Sequence, residues 1–500
     1  MSSRQLVVLL LAVIIAFGGC LWGSFHFDDY SLFSGSLWRP FDVRPLTYLT
    51  FWLNDEWGGR NPVGYHAVNL LLHVFAAVLL WTTLQCVMPS KPAWIAALVF
   101  AVHPFQAEPV NYIFARSTLL DTLLSIASLF CWLRGRRWWA VVWFGVALLA
   151  KEECVALPVF IVLLEIALAS RQRDKLKLRL RAAAAPIAAM FALSLAAGIR
   201  VFLAAAALPG SGAGPQAAVS WQSYLLAQGI VILRYLRMFV LPWGFSVDPE
   251  VAVPGVAIGT LAWLGVALLA AVACLRLRRD QPGFWFLGGL VLLLPSSSIF
   301  PATDLAADRR MYLPMIGFAA AAALLVEKVR PALLASALIL LLGLSTLRTE
   351  TWRNEQSLWS DAVRKAPEKV RPRIQLARAS NPERALQLLY EASQIAPDDP
   401  AIPAEQGRVY LGMGRPDLAL PAFGRVLALT PRSAEAFNNR GAAFLALGQK
   451  QAAREDFERA LAIDHCQFDA RLNLKRMGVA QPLAAGCRYS REQAQALEGN

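Results

Sequence analysis

The sequence has little charge and little cysteine. Only 17% of its 500 residues are charged whereas 57% are hydrophobic, which is too little polar surface for an ordinary soluble domain and too little charge for a disordered chain. The 7 cysteines are too few for a disulfide scaffold, and they form no Cys-x-x-Cys motif and no cysteine and histidine cluster with zinc spacing. Acids are also scarcer than bases, 35 against 48. Many of the bases lie in short loops between apolar runs, so the net charge of +13 does not indicate a nucleic-acid partner.

Long apolar runs take the place of charge, and they predict an integral membrane protein with about eleven helical spans. The runs cover residues 5–22, 64–88, 92–109, 117–133, 138–150, 154–170, 182–206, 253–275, 283–300, 315–329 and 331–347. The first run could be a cleaved signal peptide, but it ends in Gly-Cys-Leu-Trp-Gly, which is a poor cleavage site. We therefore interpret it as the first transmembrane helix.

The basic loops predict the orientation of these spans. Positive residues mark the cytoplasmic side, and alternate loops carry them: Arg134, Arg136, Arg137, residues 171–181, Arg276, Arg278, Arg279, Lys328 and Arg330. The N-terminus is then cytoplasmic, and everything after residue 348 lies in the periplasm if the membrane is a bacterial inner membrane. One further apolar run, 223–241, would invert the later loops if it crossed, so we interpret it as an interfacial or re-entrant helix.

After residue 347 the sequence becomes polar and repetitive, which divides the chain into a membrane domain, 1–347, and a soluble domain, 348–500. Six positions recur with a period of about 34 residues, which is typical of tetratricopeptide repeats. They are Gly407, Tyr410, Gly414, Ala419, Phe423 and Pro431, followed by Gly441, Phe444, Gly448, Ala453, Phe457 and His465. Cys466 and Cys487 are the two cysteines of this domain, and its oxidising compartment predicts a disulfide between them.

Candidate catalytic residues gather in the loops on the non-cytoplasmic side. Asp28 and Asp29 follow the first span, and in an irregular loop adjacent carboxylates point in different directions. Three further polar groups interrupt the apolar sequence, with the residues His103, Glu108, Arg116, Lys151, Glu152, Asp308, Arg309, Arg310 and Tyr312. Each group alone could be a polar turn or a salt bridge between helices. Because the topology places all of them on one face, we expect them to line one cavity at the membrane boundary.

Such a cavity suits a donor whose sugar is linked to a lipid phosphate. A carboxylate of Asp28 or Asp29 would take the proton of an acceptor hydroxyl, while cations hold the phosphate leaving group. We assign the phosphate to Arg116, Lys151, Arg309 and Arg310, and a supporting role to the other polar residues. Asp28 and Asp29 could also bind Mg²⁺ or Mn²⁺, although Lys and Arg side chains can neutralise phosphate without a metal.

The order and spacing of these elements resemble the transmembrane and tetratricopeptide-repeat O-mannosyltransferases, and the composition suggests a bacterial member. The resemblance rests on the first-loop acidic pair, the His103 to Glu108 element with Arg116, the Lys151-Glu152 pair and the Asp308 to Tyr312 element. It implies an all-α chain with a GT-C-type membrane bundle followed by a repeat solenoid. It also implies transfer of a hexose, mannose in the eukaryotic members, from a polyprenyl phosphate to Ser or Thr of a protein held by the repeats.

Other functions remain open at this stage. The chain could be a membrane scaffold without catalysis, whose repeats recruit partners for envelope or pilus assembly. A transporter of lipid-linked sugars should carry polar residues deep in many spans, whereas here they gather near one face. A ligase or polymerase that acts on glycans would need similar membrane chemistry, and the repeats favour a protein acceptor over a glycan.

Overall fold

The computed structural model shows two compact units, the first formed by residues 1–25 and 38–354 and the second by 26–37 and 355–500. It describes residues 3–33, 36–172, 176–207, 219–277, 281–297, 300–302, 304–479, 484, 486–487 and 489–498. The described residues form helices and no β-strand, which confirms the predicted all-helical fold class. Arg278, Arg279 and residues 173–175 of the basic loops lie outside the described residues.

Fourteen α-helices are described in the first unit, which we call the membrane unit. They are α1 (Ser3–Phe17), α2 (Pro45–Gly58), α3 (Pro62–Leu84), α4 (Ser90–Val102), α5 (Ala107–Asn111), α6 (Arg116–Leu133), α7 (Arg137–Ala150), α8 (Leu157–Gln172), α9 (Leu176–Ala207), α10 (Trp221–Val240), α11 (Val256–Arg276), α12 (Gln281–Leu293), α13 (Met315–Leu325) and α14 (Pro331–Thr351). Short 3₁₀ helices occupy several connections, including Glu152–Ala156 and Asp308–Met311.

Eight of the described helices are long and apolar enough to cross a membrane, and four shorter apolar helices accompany them. All the predicted spans correspond to helices of this set, but one boundary differs clearly. The predicted run 92–109 ends as a helix at Val102 and continues as short helical turns. His103 precedes a proline, and residues before proline disfavour the helical conformation. The polar residues 103–116 are therefore displayed on turns instead of being absorbed into a span.

The core of the membrane unit depends on close helix contacts. A Cβ atom on Gly317 in the first turn of α13 would lie 2.5 Å from the backbone of both Gly289 and Trp285, so the middle of α12 and the start of α13 can approach only with glycine there. Lys91 at the start of α4 donates to the carbonyl oxygen of Glu327, just beyond α13. The start of α4 therefore lies beside the end of α13.

Helix α10, which contains most of the ambiguous run 223–241, is hydrogen-bonded to other parts of the membrane unit near both of its ends. Tyr224 donates to the carbonyl oxygen of Ser296 over 2.9 Å, just after α12. His103, just after α4, contacts the carbonyl oxygen of Phe239 over 3.1 Å. The helix has the length and composition of a span. It packs along α11, where a Cβ atom on Gly259 would lie 2.9 Å from Leu226 and the Trp263 ring donates to the carbonyl oxygen of Leu225 over 2.7 Å. Its interfacial position stays a prediction.

The second unit, which we call the repeat unit, is an array of helical hairpins. Its helices are α15 (Glu355–Lys365), α16 (Val370–Arg378), α17 (Pro382–Ile395), α18 (Ala401–Gly412), α19 (Pro416–Leu429), α20 (Ala434–Ala446), α21 (Lys450–Ile463), α22 (Phe468–Arg476) and α23 (Arg491–Glu498). A Cβ atom on Gly407 would lie 2.6 Å from the ring of Phe423, and one on Gly441 would lie 2.8 Å from that of Phe457. The recurring glycines and aromatics are thus where the helices of each hairpin cross, as the repeat pattern requires.

The boundary between the units differs from the predicted one. Helix α14 continues beyond Leu347 to Thr351, and residues 26–37 group with the repeats instead of the membrane helices. Apolarity defines the end of a lipid-exposed stretch, but it carries no information about which helices a loop will pack against. The acidic pair therefore belongs to the repeat unit.

Candidate functional site

Asp28 and Asp29 lie in a 3₁₀ helix, Phe27–Phe33, and their side chains differ in exposure. Asp29 is fully buried and accepts from the backbone N–H of His26 over 2.9 Å, so it holds the start of this short helix. Asp28 is exposed. The two carboxylates therefore differ in environment, because Asp29 is hydrogen-bonded to the backbone and Asp28 is exposed.

The acidic helix is attached to the first repeat helix, α15. The backbone N–H of Phe27 donates to the Oε1 atom of Glu355 over 2.9 Å, and the rings of Phe27 and Trp359 have centroids 5.5 Å apart. Trp359 is almost fully buried. These contacts fix the backbone directly before the exposed carboxylate of Asp28.

In the membrane unit, Glu108 and Arg309 form a buried ion pair between two of the predicted polar groups. Oε1 of Glu108 lies 2.6 Å from Nη1 of Arg309, and Oε2 accepts from the Arg309 backbone N–H over 3.1 Å. Only 3% of the Glu108 side chain is exposed, against 26% for Arg309, whose Nη2 lies 3.6 Å from Asp304. Glu108 thus fixes the position of the Arg309 guanidinium, and the Arg309 side chain remains partly exposed.

The neighbouring residues Asp308 and Arg310 hold loops together. Asp308 accepts from the backbone N–H of Ser246 over 3.2 Å and from Arg234 over 3.4 Å. Arg310 donates through both terminal nitrogens to carbonyl oxygens of its own loop, over 2.9 and 2.6 Å. Because its terminal nitrogens already serve the loop, the structure places Arg310 as a supporting residue instead of the predicted phosphate ligand.

Lys151 lies close to this cluster, between α7 and the following 3₁₀ helix. Its Nζ atom is 2.8 Å from Oε1 of Glu153 and 2.7 Å from the Thr118 hydroxyl. Burial lowers the pKa of Lys151 below its ordinary value; Glu153 opposes this shift, and the nearby cations Arg44 and Arg309 reinforce it. Lys151 and Arg309, predicted from different loops, are therefore brought into one electrostatic environment.

Arg44 is a residue of this environment that the sequence interpretation missed. Its Nη2 atom lies 2.6 Å from Oε1 of Glu152, and its Nε atom lies 3.1 Å from Oε2, so the pair is bidentate. The side chains are 30% and 28% exposed, respectively. The two residues are far apart in sequence, and the only available signal was a basic residue in the first loop.

The Arg44 and Glu152 pair borders a cavity of about 260 Å³. The lining combines polar and apolar side chains. The polar lining residues are Asp42, Arg44, Thr47, Tyr48, Ser117 and Glu152, and the apolar ones are Val43, Phe51, Phe114, Val201, Ala204, Ala205 and Phe300. A ligand with a polar head and a hydrocarbon portion matches such a lining.

Arg116 does not join this cluster in the way the sequence predicts. It is fully buried. Its guanidinium donates to four protein oxygens over 2.9 to 3.2 Å, in Asn69, Thr50, Asn54 and Tyr65, and lies 4.4 Å from the centre of the Phe51 ring. It ties α2 and α3 to the start of α6, so we correct its role from phosphate ligand to structural support.

Comparison with known proteins extends the similarity along most of the chain. A family model described as "Tetratricopeptide repeat" matches residues 405–465. Protein O-mannosyl-transferase F38B6.6 of Caenorhabditis elegans is 26% identical over 73% of this chain and 58% of its own length. Human Protein O-mannosyl-transferase TMTC3 is 25% identical over 85% of this chain and 55% of its own length. The chain is therefore similar in sequence to these two proteins over most of its own length.

The chain spans a little over half the length of these curated relatives. Among solved structures, MamA from Desulfovibrio magneticus RS-1 aligns with 25% of this chain and 72% of that chain, at 20% identity. Its TM-score of 0.23 is too low to support any conclusion. The similarity of the membrane unit therefore rests on sequence.

Two other predicted polar residues, His103 and Tyr312, make buried contacts within the membrane unit. Nδ1 of His103 accepts from the Phe105 backbone N–H over 3.2 Å, so Nε2 carries the proton and donates to the carbonyl oxygen of Phe239. Burial lowers the pKa of His103 to about 4, which keeps the imidazole neutral. The hydroxyl of Tyr312 lies 2.8 Å from Nδ1 of His73. Both residues are buried, and neither is placed to meet a substrate.

In the repeat unit, Cys466 and Cys487 are joined in a disulfide. This is the pairing that the sequence predicts. The bond closes a 21-residue separation that contains α22. It attaches the C-terminal segment to the last repeat.

Proposed function

We propose that this chain is an inverting glycosyltransferase that moves a hexose from a polyprenyl phosphate to Ser or Thr of a protein acceptor. The observation that carries the proposal is the similarity, over 73% and 85% of the chain, to proteins named protein O-mannosyl-transferases. Mannose is accordingly the first sugar to test. The acceptor would be held by the tetratricopeptide repeats, whose stacked hairpins form concave surfaces suited to protein segments.

In this proposal the donor phosphate is bound beside the cavity of the membrane unit. Arg44 and Arg309 are held in place by Glu152 and Glu108 and keep part of their guanidinium groups exposed, and Lys151 adds a third cation nearby. Their combined charge would stabilise the phosphate as the glycosidic bond breaks. The apolar lining residues of α9, together with Phe300, would contact the first part of the lipid.

The acceptor hydroxyl would be activated by Asp28. Its exposed carboxylate takes the hydroxyl proton while the oxygen attacks the anomeric carbon from the side opposite the phosphate. The bond from that carbon to the phosphate oxygen breaks, the electron pair leaves with the phosphate, and the sugar configuration inverts. The buried Asp29 would position Asp28 through the backbone of the 3₁₀ helix.

We further propose that the repeats lie in the periplasm and the membrane unit in the inner membrane, with the N-terminus in the cytoplasm. The basic loops support this orientation. The Cys466 and Cys487 disulfide also supports it, because disulfides persist in oxidising compartments.

The test compares intact masses of envelope and secreted proteins from cells that express wild type, Asp28→Asn, Asp29→Asn or Asp398→Asn. Asp398 is an exposed aspartate of the same unit and serves as the matched control. We expect Asp28→Asn to remove a hexose-sized mass with unchanged expression and thermal stability, and a general base of this kind contributes about 10²- to 10⁴-fold in rate. Asp29→Asn should lower both transfer and stability. Repeating the assay with EDTA tests whether Mg²⁺ or Mn²⁺ is needed.

An unchanged glycan profile in Asp28→Asn would contradict the proposal. If the chain is a scaffold without catalysis, all the aspartate variants that fold should support the same assembly and the same glycans. Loss of the hexose in Asp398→Asn as well would show that the effect is not specific to the acidic pair.

A further inference from the structure

The proposed transfer reaction makes no use of a group of three side chains at the end of the repeats. His465 and Cys466 form the turn after α21, and Cys487 follows α22. The Nε2 atom of the exposed His465 and the two sulfur atoms all lie within 4.8 Å of one another. Among the described residues this is the one group of three or more potential metal ligands that meets such a distance.

The spacing of these atoms fits a tetrahedral metal ion. Zinc binds sulfur at about 2.3 Å and imidazole nitrogen at about 2.0–2.1 Å, so the two ligand atoms of one ion lie about 3.6 Å apart. Nε2 of His465 lies 3.5 Å from Sγ of Cys466. Two cysteine sulfurs on one ion would stand about 3.8 Å apart. A Cα separation of 5.4 Å between the cysteines permits this once the sulfurs are no longer bonded.

The backbone around the three ligands is already fixed by other contacts. The buried Arg471 donates to the carbonyl oxygen of His465 over 2.7 and 3.3 Å, and Oδ1 of Asp464 accepts from the Cys466 backbone N–H over 2.9 Å. On the other side, Gly486 has a φ of +82°, a conformation that glycine adopts readily and that turns the chain into Cys487. The ligands therefore do not depend on the disulfide alone for their positions.

We propose that reduction of the disulfide converts this group into a binding site for a thiophilic divalent ion such as Zn²⁺. A dithiol reductant supplies two electrons and two protons, the S–S bond breaks to give two thiols, and the dithiol becomes a disulfide. Binding of the ion then releases one proton from each thiol, His465 donates the Nε2 lone pair, and water completes the coordination. The ion would replace the covalent link between the last repeat and the C-terminal segment.

The experiment uses the full-length protein in detergent with Co²⁺ as a spectroscopic probe. The samples are oxidised wild type, wild type reduced with a phosphine, the reduced double variant Cys466→Ser/Cys487→Ser and reduced His465→Gln. All of them retain the 5 other cysteines, which are free thiols in the structure. We expect a thiolate-to-cobalt charge-transfer band at one equivalent in reduced wild type, its absence in the oxidised protein and the double variant, and at least tenfold weaker binding in His465→Gln.

Three results would overturn the proposal. A band of equal strength in the double variant would assign cobalt to other cysteines, and no band in reduced wild type would exclude the site. Equal affinity in His465→Gln would remove the histidine from it. Because His465 is exposed, its substitution should leave the helical circular dichroism unchanged. That spectrum identifies any variant that has failed to fold.

Discussion

The membrane unit and the repeat unit both bury acids, but they take the partner cations from different places. In the repeat unit three buried acids of the described helices each have two cations from the same or a neighbouring helix. The groups are Asp361 with Arg364 and Lys365, Glu405 with Arg378 and Arg408, and Asp456 with Arg440 and Arg459. In the membrane unit, Glu108 and Arg309 are 201 positions apart in sequence, and Arg44 and Glu152 are 108 apart.

The difference separates charges that maintain a helix array from charges that assemble a site. Local pairs follow from helix geometry and recur wherever the hairpin recurs. Distant pairs form only when the whole unit is folded. One of them, Arg44 with Glu152, borders the cavity, and both pairs have partly exposed cations. Distance in sequence alone is not sufficient, because Arg116 also takes partners from other helices while remaining fully enclosed.

The largest expected effect tests this exception. Arg116→Gln would leave buried oxygens without a donor, including those of Asn69 and Tyr65, and each unsatisfied buried group costs about 1–3 kcal/mol. We expect a loss of at least about 3 kcal/mol of stability, seen as low expression and a lower melting temperature in detergent. The exposed Arg136→Gln in the same unit is the control. Equal melting temperatures would show that Arg116 is not structural.

The second prediction tests whether distant, partly exposed pairs are functional. Glu108→Gln or Arg309→Gln should each lower the transfer rate about 100-fold, which corresponds to about 2.7 kcal/mol, because one residue aims the other at the donor. The double variant should lose little more than either single variant. The transfer rate from a lipid-phosphate donor to a peptide is measured for the single and double variants. Thermal unfolding of the same samples measures their stability.

The result would be contradicted by additive losses, or by stability losses that account for all of the missing activity. Arg330→Gln is a suitable control, because Arg330 is an exposed cation of the same unit. Unchanged transfer in both single variants would mean that distance in sequence and exposure do not identify a site here.

The third prediction concerns a local pair that is nearly buried. Asp456 makes a bidentate contact with Arg440 over 2.7 and 2.9 Å, and only 3% of its side chain is exposed. Asp456→Asn should lower the free energy of local opening of α20 and α21 by about 1–2 kcal/mol, measured by hydrogen exchange. Protection of the membrane unit from hydrogen exchange should be unchanged. A loss of protection there would contradict the view that local ion pairs stabilise only the repeat helices. Asp469→Asn, an exposed acid in α22, is the control.

The sequence predicts periodic features well and distant contacts poorly. The helical spans and the repeats follow from apolar runs and from the recurrence of Gly407 and Gly441, because these patterns are local. The roles assigned to Asp28 and Asp29 stay a prediction. Arg44 was missed because its partner Glu152 is 108 positions away. The roles of Arg116 and Arg310 were misassigned for a related reason, since composition does not reveal whether the fold supplies acceptors for a cation.

The smallest expected effect is at an exposed local pair in the same repeat helix as Asp456. Arg454 and Glu458 lie one turn apart in α21, 2.8 Å from each other, with side chains 49% and 47% exposed. Such pairs contribute about 0.2–0.5 kcal/mol, so Arg454→Gln should change the opening of α21 by no more than this amount, and less in high salt. Hydrogen exchange measured on Arg454→Gln and on Asp456→Asn gives the ratio of their effects on the free energy of opening of α21. If the exposed variant opened α21 as much as the buried one, burial would not be what gives the acids of the repeats their structural role.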